Sequence, residues 1–188
     1  MRLLTNLLPL LRSSLRPHVL SVLNAGQELK MQDEDIGLLN PENFGPRVAI
    51  NHTTTMMTLA LEYLSQNDAN MNITFIHSFP GLVASDNFSR LTAPDSFSLL
   101  GKILVPLIGT LFSVIQKIFG ISTADCGARQ AFLLTSDRFE NGKTWRVDDK
   151  SEVITSSNDA LEYYREKGWR EKVFTHTLEV FEKATSTR

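Results

Sequence analysis

This sequence has very little cysteine and no excess of positive charge. The 188 residues include one cysteine, Cys126, and 19 lysines and arginines stand against 21 aspartates and glutamates. A single cysteine excludes a disulfide within the chain, which favours a reducing, cytoplasmic setting. The formal net charge of −2 at pH 7 argues against a nucleic-acid partner, because nucleic-acid surfaces of proteins are basic.

Long uncharged runs are also missing. The interval between Lys102 and Lys117 holds fourteen residues without a charge, fewer than the ~20 that a helix needs to cross a bilayer. Pro106 and Gly109 interrupt it further. The segment 99–119 is therefore interpreted as core and dimer surface, as a hydrophobic lid over a substrate, or as a patch lying on a membrane, with membrane contact the least favoured.

The N-terminal segment lacks acidic residues from Met1 to Gln27, which is also typical of a targeting peptide. Asn6 and Pro9 interrupt its apolar run, however, and favour a folded helix instead. The leucines of residues 3–11 recur at helical spacing, so they predict a short amphipathic helix that ends before Pro17.

Three apolar segments rich in β-branched or aromatic residues predict buried strands. They are residues 18–23, the stretch from Ile73 that ends at Pro80-Gly81, and residues 131–136. Helical patterns separate or follow the strands, at residues 51–65, 157–167 and 170–184, and Asn141-Gly142 suggests a small hairpin.

Strands separated by helices imply a parallel sheet, since parallel neighbours need crossover connections. The sequence therefore predicts an α/β fold with a parallel sheet of about three strands, flanking helices and a C-terminal helical pair. No linker divides the chain, so residues 1–188 are expected to form a single domain.

Four polar side chains are candidates for chemistry because ligands of parallel sheets bind beyond the carboxyl ends of strands. His77 could act as a general acid or base, and Asn24 could donate to an oxyanion. Each also has a structural interpretation: His77 could be a histidine bonded to backbone, and His52 a capping or packing residue. Asn24 could be a turn residue and Asp86 a cap. The histidines are too scattered for a metal site. The candidate catalytic residues are His77, His52, Asn24 and Asp86.

The order of these segments resembles the carboxyl-terminal half of a short-chain dehydrogenase/reductase. Residues 2–11 resemble that family's dimer-forming helix. Val19 to Gly26 resemble the strand and turn that carry its catalytic serine, and residues 73–85 resemble the strand and turn that hold nicotinamide. Leu59-Ala60-Leu61-Glu62 resembles the helix that carries its Tyr-x-x-x-Lys motif. Residues 75–81 and 127–136 are similar to fungal reductase-like proteins of secondary metabolism.

The departures from this family remove its redox machinery. The resemblance places Asn24 at the serine position, and Gly45 and Ala49 near the tyrosine and lysine positions. No tyrosine or lysine occurs between residues 31 and 62, and no glycine-rich phosphate cradle is present. The resemblance therefore implies a truncated Rossmann-like domain without a nicotinamide cofactor.

The function predicted from this resemblance is a cofactor-independent biosynthetic enzyme. It would be an isomerase or cyclase, including a pericyclase, that acts on a hydrophobic polyketide or terpenoid intermediate of fungal natural-product biosynthesis. The alternatives are an NAD(P)-dependent short-chain oxidoreductase and a non-catalytic pseudoenzyme partner. The resemblance also implies an exposed sheet edge at residues 18–23, which predicts a homodimer.

Overall fold

The structure, a computed structural model, describes residues 1–83, 110, 116 and 120–186. The chain forms two compact units, residues 1–79 with 132–188 and residues 80–131. Asp86 lies outside the described residues, as does the segment 99–119 apart from Thr110 and Gln116. The interpretations of these residues and the single domain stay predictions.

A three-stranded parallel sheet forms the centre of the first unit. Its strands are β1 (His18–Val22), β2 (Thr74–Ser78) and β3 (Thr144–Val147), in the spatial order β1-β2-β3. All five side chains of β2 are buried, as expected for a central strand with both faces covered. The predicted α/β class with a three-stranded parallel sheet is confirmed.

The register of the sheet aligns Ser21, His77 and Arg146 in one row across the three strands. Because successive side chains alternate between the two faces, these residues share a face with Phe75. The side chains of Ile76 and Val147 lie on the other face. A polar row thus crosses one face of the sheet close to the carboxyl ends of its strands.

Five α-helices with described bounds and a short 3₁₀-helix (Asp68–Asn70) accompany the sheet. The last two α-helices are the predicted C-terminal pair. The second helix begins at Pro46, a residue favoured in a first helical turn, and so starts five residues earlier than predicted. The helices are α1 (Arg2–Ser13), α2 (Pro46–Ser65), α3 (Thr123–Thr135), α4 (Asp159–Glu166) and α5 (Trp169–Ser186).

The strand predicted at residues 131–136 is wrong, because residues 131–135 belong to α3. A short apolar run fits a buried helix segment as well as a strand. The hydroxyl of Ser122 accepts a hydrogen bond from the amide of Asp125 at 3.0 Å, and this cap starts a helix upstream of the apolar run. Burial then recurs at helical spacing, on Cys126, Arg129, Gln130 and Leu133. Cys126 is half-buried.

The predicted hairpin at Asn141-Gly142 is also wrong. The turn leads into β3, which runs parallel to β2. The Asn141 side chain accepts a hydrogen bond from the Thr74 hydroxyl at 2.7 Å, and the Gly142 amide donates to the Ile73 carbonyl at 2.9 Å. These bonds hold the turn against the start of β2. The chain therefore leaves the turn into β3 in the same direction as β2.

Apolar side chains pack on both faces of the sheet. On the α2 side, Phe75 packs with Leu8, Leu61, Leu64 and Ile73, and on the other side Ile76 packs with Leu133, Phe139 and Val147. A third cluster joins α2 to α4 and α5 through Leu59, Leu161, Tyr164, Trp169 and Val173.

A buried charge adds to this packing. The Glu62 carboxylate accepts hydrogen bonds from Arg165 and Arg170, which ties α2 to the C-terminal pair. No helix within the described ranges combines the length and apolar character needed to span a membrane.

Candidate functional site

The turn that follows β1 brings a carboxylate into the protein interior. The Asn24 carbonyl accepts a hydrogen bond from the Gln27 amide at 3.0 Å, and Gly26 has a φ of +86°. A side chain at Gly26 would also approach Ile154 to 2.7 Å, so glycine is required there. Asn24 therefore lies in a turn, as its structural interpretation predicts. The chain then enters the interior at Glu28, which is 1% exposed.

The loop between β1 and α2 is held along its length by side chains of α2, α4 and the residue before α4. The Asn158 amide donates to the Glu28 carbonyl at 3.0 Å, and the Thr55 hydroxyl donates to the Leu29 carbonyl at 2.8 Å. The Tyr164 hydroxyl accepts from the Met31 amide and donates to Asp33, both at 2.6 Å. Burial and the hydrogen bond to Asp33 raise the pKa of Tyr164. The loop therefore presents Glu28 in a defined position.

His77 lies on β2 and is fully buried. Its Nδ1 is 2.7 Å from the Thr58 hydroxyl of α2, and the same hydroxyl donates to Glu28 Oε1 at 2.7 Å. The direct distance from His77 Nδ1 to Glu28 Oε1 is 3.8 Å, too long for a hydrogen bond. Thr58 therefore bridges the histidine and the carboxylate.

Arg146 completes this arrangement from β3. Its Nη1 donates to Glu28 Oε2 at 3.1 Å, and its Nη2 donates to the Ser156 carbonyl at 3.0 Å. Each oxygen of the Glu28 carboxylate thus has a donor, as a buried charge requires. We call Glu28, Thr58, His77 and Arg146 the polar cluster.

The environment of the polar cluster keeps His77 neutral at pH 7. Burial lowers the pKa of His77 to about 4, with the charge of Arg146 acting in the same direction and that of Glu28 opposing it. Within the described residues, five buried side-chain polar atoms lack a hydrogen-bond partner, and His77 Nε2 is the one in the polar cluster. One ring nitrogen is therefore anchored while the other is uncommitted.

His52 has a different role, because both of its ring nitrogens contact the loop that precedes α2. Nε2 accepts a hydrogen bond from the Gln32 amide at 2.7 Å, and Nδ1 lies 3.4 Å from the Ile36 carbonyl. Burial lowers the pKa of His52 as well. The structure therefore supports the packing interpretation of His52 and does not place it with His77.

Among the cavities that border the loop between β1 and α2, one lies beside the polar cluster and another lies beside α2 and α5. The first, of about 580 Å³, includes a member of the polar cluster and mixes polar and apolar groups. Both have the size of small-molecule sites. The first cavity is lined by Glu28, Leu29, Lys30, Ser157, Asn158, Asp159, Ala160 and Tyr163.

The second cavity is a mostly apolar groove of about 560 Å³ formed by residues 36–39, α2 and α5. Its α2 side chains include Ala49, Thr53 and Met56. A helix turns by about 100° per residue, so these residues face away from Thr58. The groove is therefore separated from the polar cluster by α2.

Three members of the polar cluster were missed from the sequence: Glu28, Thr58 and Arg146. The signals were weak but present. Arg146 stands between two apolar residues in a short β-branched segment, and α2 carries four threonines before and within its run of methionines and leucines. Within the described residues, no group of three or more His, Cys, Asp or Glu side chains could hold a metal ion.

No protein-family model and no solved structure matches this chain. It is similar to the NmrA-like family domain-containing oxidoreductase notO of Aspergillus sp. (strain MF297-2), with 32% identity over 139 residues, 74% of this chain and 36% of that protein. It is also similar to oxidoreductase lepF of Aspergillus flavus, with 28% identity over 217 residues, 96% of this chain and 59% of that protein. Oxidoreductase andH of Emericella variicolor is 26% identical over 218 residues, 100% of this chain and 59% of that protein.

The chain thus spans between about a third and three fifths of the length of these curated relatives. The matches to lepF and andH extend over 217 and 218 positions, more than the 188 residues of this chain. These relatives therefore carry residues inside the matched region for which this chain has no counterpart. The predicted similarity to fungal reductase-like proteins is confirmed over part of their length.

Proposed function

We propose that this chain is a cofactor-independent acid–base enzyme that isomerises or cyclises a hydrophobic intermediate of fungal natural-product biosynthesis. The observation that carries the proposal is the state of His77, which is neutral at pH 7, anchored at Nδ1 and uncommitted at Nε2. An oriented base whose second ring nitrogen has no hydrogen-bond partner is the minimal equipment for proton transfer to and from carbon.

The reaction proposed for His77 conserves the atoms of the substrate. Nε2 takes a proton from a carbon next to a carbonyl group, and the electron pair of the broken C–H bond moves into the enolate. The imidazolium returns the same proton to another carbon, which moves the double bond and leaves the mass unchanged.

The competing function is that of an NAD(P)-dependent oxidoreductase, which the names of the relatives favour. Titration of the purified chain with NADPH separates the two functions. We expect neither a change in nicotinamide fluorescence nor a shift of the melting temperature. Saturable binding would overturn cofactor independence and support the oxidoreductase.

The proposal is tested by deleting the gene in its source organism and restoring it in variants. We expect the deletion strain to accumulate an intermediate with the same mass as the missing product. An intermediate that differs by two hydrogens would contradict the proposal and indicate redox chemistry, and unchanged metabolites would indicate a non-catalytic partner.

Variants of His77 connect that result to the polar cluster. In His77→Asn the amide group retains a donor near Thr58 but has no equivalent of Nε2, so we expect it to lower the product level about 10²-fold or more. The matched control is His52→Gln, which retains an acceptor for the Gln32 amide and should restore the product. Full restoration by His77→Asn would disprove the role of His77.

A further inference from the structure

We propose that Glu28, Thr58 and Arg146 are positioning residues that keep the proton of His77 on Nδ1 and leave Nε2 as the basic nitrogen. The tautomer follows from the hydrogen bonds alone, whereas its use in catalysis rests on the function proposed above. Three different elements supply these residues: the loop after β1, helix α2 and strand β3.

The first step of the argument is the donor capacity of Thr58. A threonine hydroxyl has one proton to donate and lone pairs with which to accept. That proton is directed to Glu28 Oε1 at 2.7 Å. At the 2.7 Å contact with His77 Nδ1, the hydroxyl oxygen can then only accept, so Nδ1 carries the proton.

The second step is the charge of Glu28, because a protonated Glu28 could donate to Thr58 and reverse the chain of bonds. Arg146 opposes this reversal. Its guanidinium donates to Glu28 Oε2 at 3.1 Å, and an arginine remains charged at any relevant pH. Glu28 is therefore the acceptor at both of its contacts, with the Thr58 hydroxyl on Oε1 and the Arg146 guanidinium on Oε2.

The third step is the burial of the whole arrangement. The side chains of Glu28 and His77 are fully buried and that of Arg146 is 11% exposed. Thr58 is fully buried as well. Because the cluster is buried, water cannot replace a hydrogen bond that is lost within it. The opposite tautomer would place a lone pair of Nδ1 against a lone pair of the Thr58 oxygen.

The consequence for chemistry is a directed base. The free nitrogen of His77 is Nε2, on the side of the ring away from Thr58. When Nε2 accepts a proton, the positive charge of the imidazolium lies 3.8 Å from the Glu28 carboxylate, with Thr58 between them. Glu28 thus stabilises the protonated intermediate without touching the substrate.

The test is ¹⁵N NMR of the full chain with labelled histidine at pH 7. His77→Asn identifies the His77 signals by their loss. We expect the shifts of a neutral imidazole with the proton on Nδ1, which is the less populated tautomer of free histidine. A proton on Nε2, or a protonated ring, in the wild-type chain would overturn the proposal without any variant having to fold.

Two variants of Thr58 separate the bridging hydroxyl from packing. Thr58→Ser retains the hydroxyl and should keep the Nδ1 proton, whereas Thr58→Val removes it at similar volume and should give a mixture of tautomers or the Nε2 form. Equal spectra for the two variants would contradict the bridging role. A circular dichroism melt of each variant checks that it folds.

The same variants in the restored deletion strain distinguish the two proposals. If the positioning role is correct, Thr58→Val lowers the product level about tenfold or more while Thr58→Ser restores it. If the NMR result holds but Thr58→Val restores the product fully, the tautomer assignment stands and the positioning role in catalysis fails. Full restoration by His77→Asn instead overturns the acid–base function of His77.

Discussion

Two histidines, both buried, show how position alone decides what the same side chain does. His52 bonds through Nε2 to the Gln32 amide, and its Nδ1 lies near the Ile36 carbonyl, so it braces the loop before α2. His77 bonds to one hydroxyl and keeps Nε2 uncommitted. The difference lies in the partners that the fold supplies, since both residues have lowered pKa values caused first by burial.

The lowered pKa of His77 should make stability depend on pH between about 6.5 and 4. The folded chain holds His77 neutral down to a pKa of about 4, whereas the unfolded chain takes up the proton near pH 6.5. The unfolded state thus binds more protons in this window, and stability falls as the pH falls. We expect wild type to lose about 3 kcal/mol more unfolding free energy than His77→Asn between pH 7 and 4.

Urea unfolding of both chains at several pH values measures this difference. Carboxylates outside the polar cluster and His52 titrate in both chains, so their contributions cancel when the two curves are subtracted. Parallel curves for wild type and His77→Asn would show that the folded pKa of His77 is close to that of the unfolded chain.

At the scale of elements, α3 shows how burial is shared along a helix whose apolar run resembled a strand. Leu133 is fully buried against Ile76, Phe139 and Val147. Its chain neighbours Phe132 and Leu134 are 43% and 42% exposed. Leu133 therefore supplies most of the apolar surface that this run buries in the core.

This unequal burial predicts unequal costs of truncation. Leu133→Ala should lower the unfolding free energy by about 2–5 kcal/mol, because it leaves a cavity in the core. Leu134→Ala, the matched control, removes the same atoms from a half-exposed position and should cost less than about 1 kcal/mol. Urea unfolding at pH 7 measures both, and equal losses would contradict the packing of α3.

At the scale of the whole molecule, α1 has apolar side chains on two sides. Leu4, Leu8 and Leu11 pack towards the core, while Leu3 and Leu10 are 73% and 67% exposed. Beside them, β1 pairs with β2 alone among the described strands. An exposed leucine stripe next to an unpaired strand edge is typical of an interface, and the homodimer stays a prediction.

The dimer prediction can be tested by sedimentation at micromolar concentrations. We expect a dimer for wild type and a monomer for the double variant Leu3→Glu with Leu10→Glu, because two buried charges per chain would destabilise the interface. The control is Met71→Glu, an exposed apolar residue in the turn before β2, which should stay dimeric. A monomeric wild type would contradict the prediction.

Periodic and local signals were sufficient for much of the fold. The leucines of α1, the β-branched runs of β1 and β2 and the stripe of α5 were found because each pattern is contained in a few consecutive residues. The third strand was misplaced because residues 131–136 satisfy both periods and Thr144 to Val147 is very short. The choice between them depended on Leu133 and Val147 packing on the same face of the sheet.

The sequence by itself determined the α/β class, the C-terminal helical pair and the position of His77 at the end of a buried strand. Only the tertiary structure decided what surrounds His77. Glu28, Thr58 and Arg146 are up to 118 residues apart in sequence, and no local pattern links them. They meet because β1 and β3 flank β2 and α2 covers the sheet, where a buried charge is stable only with its donors in place.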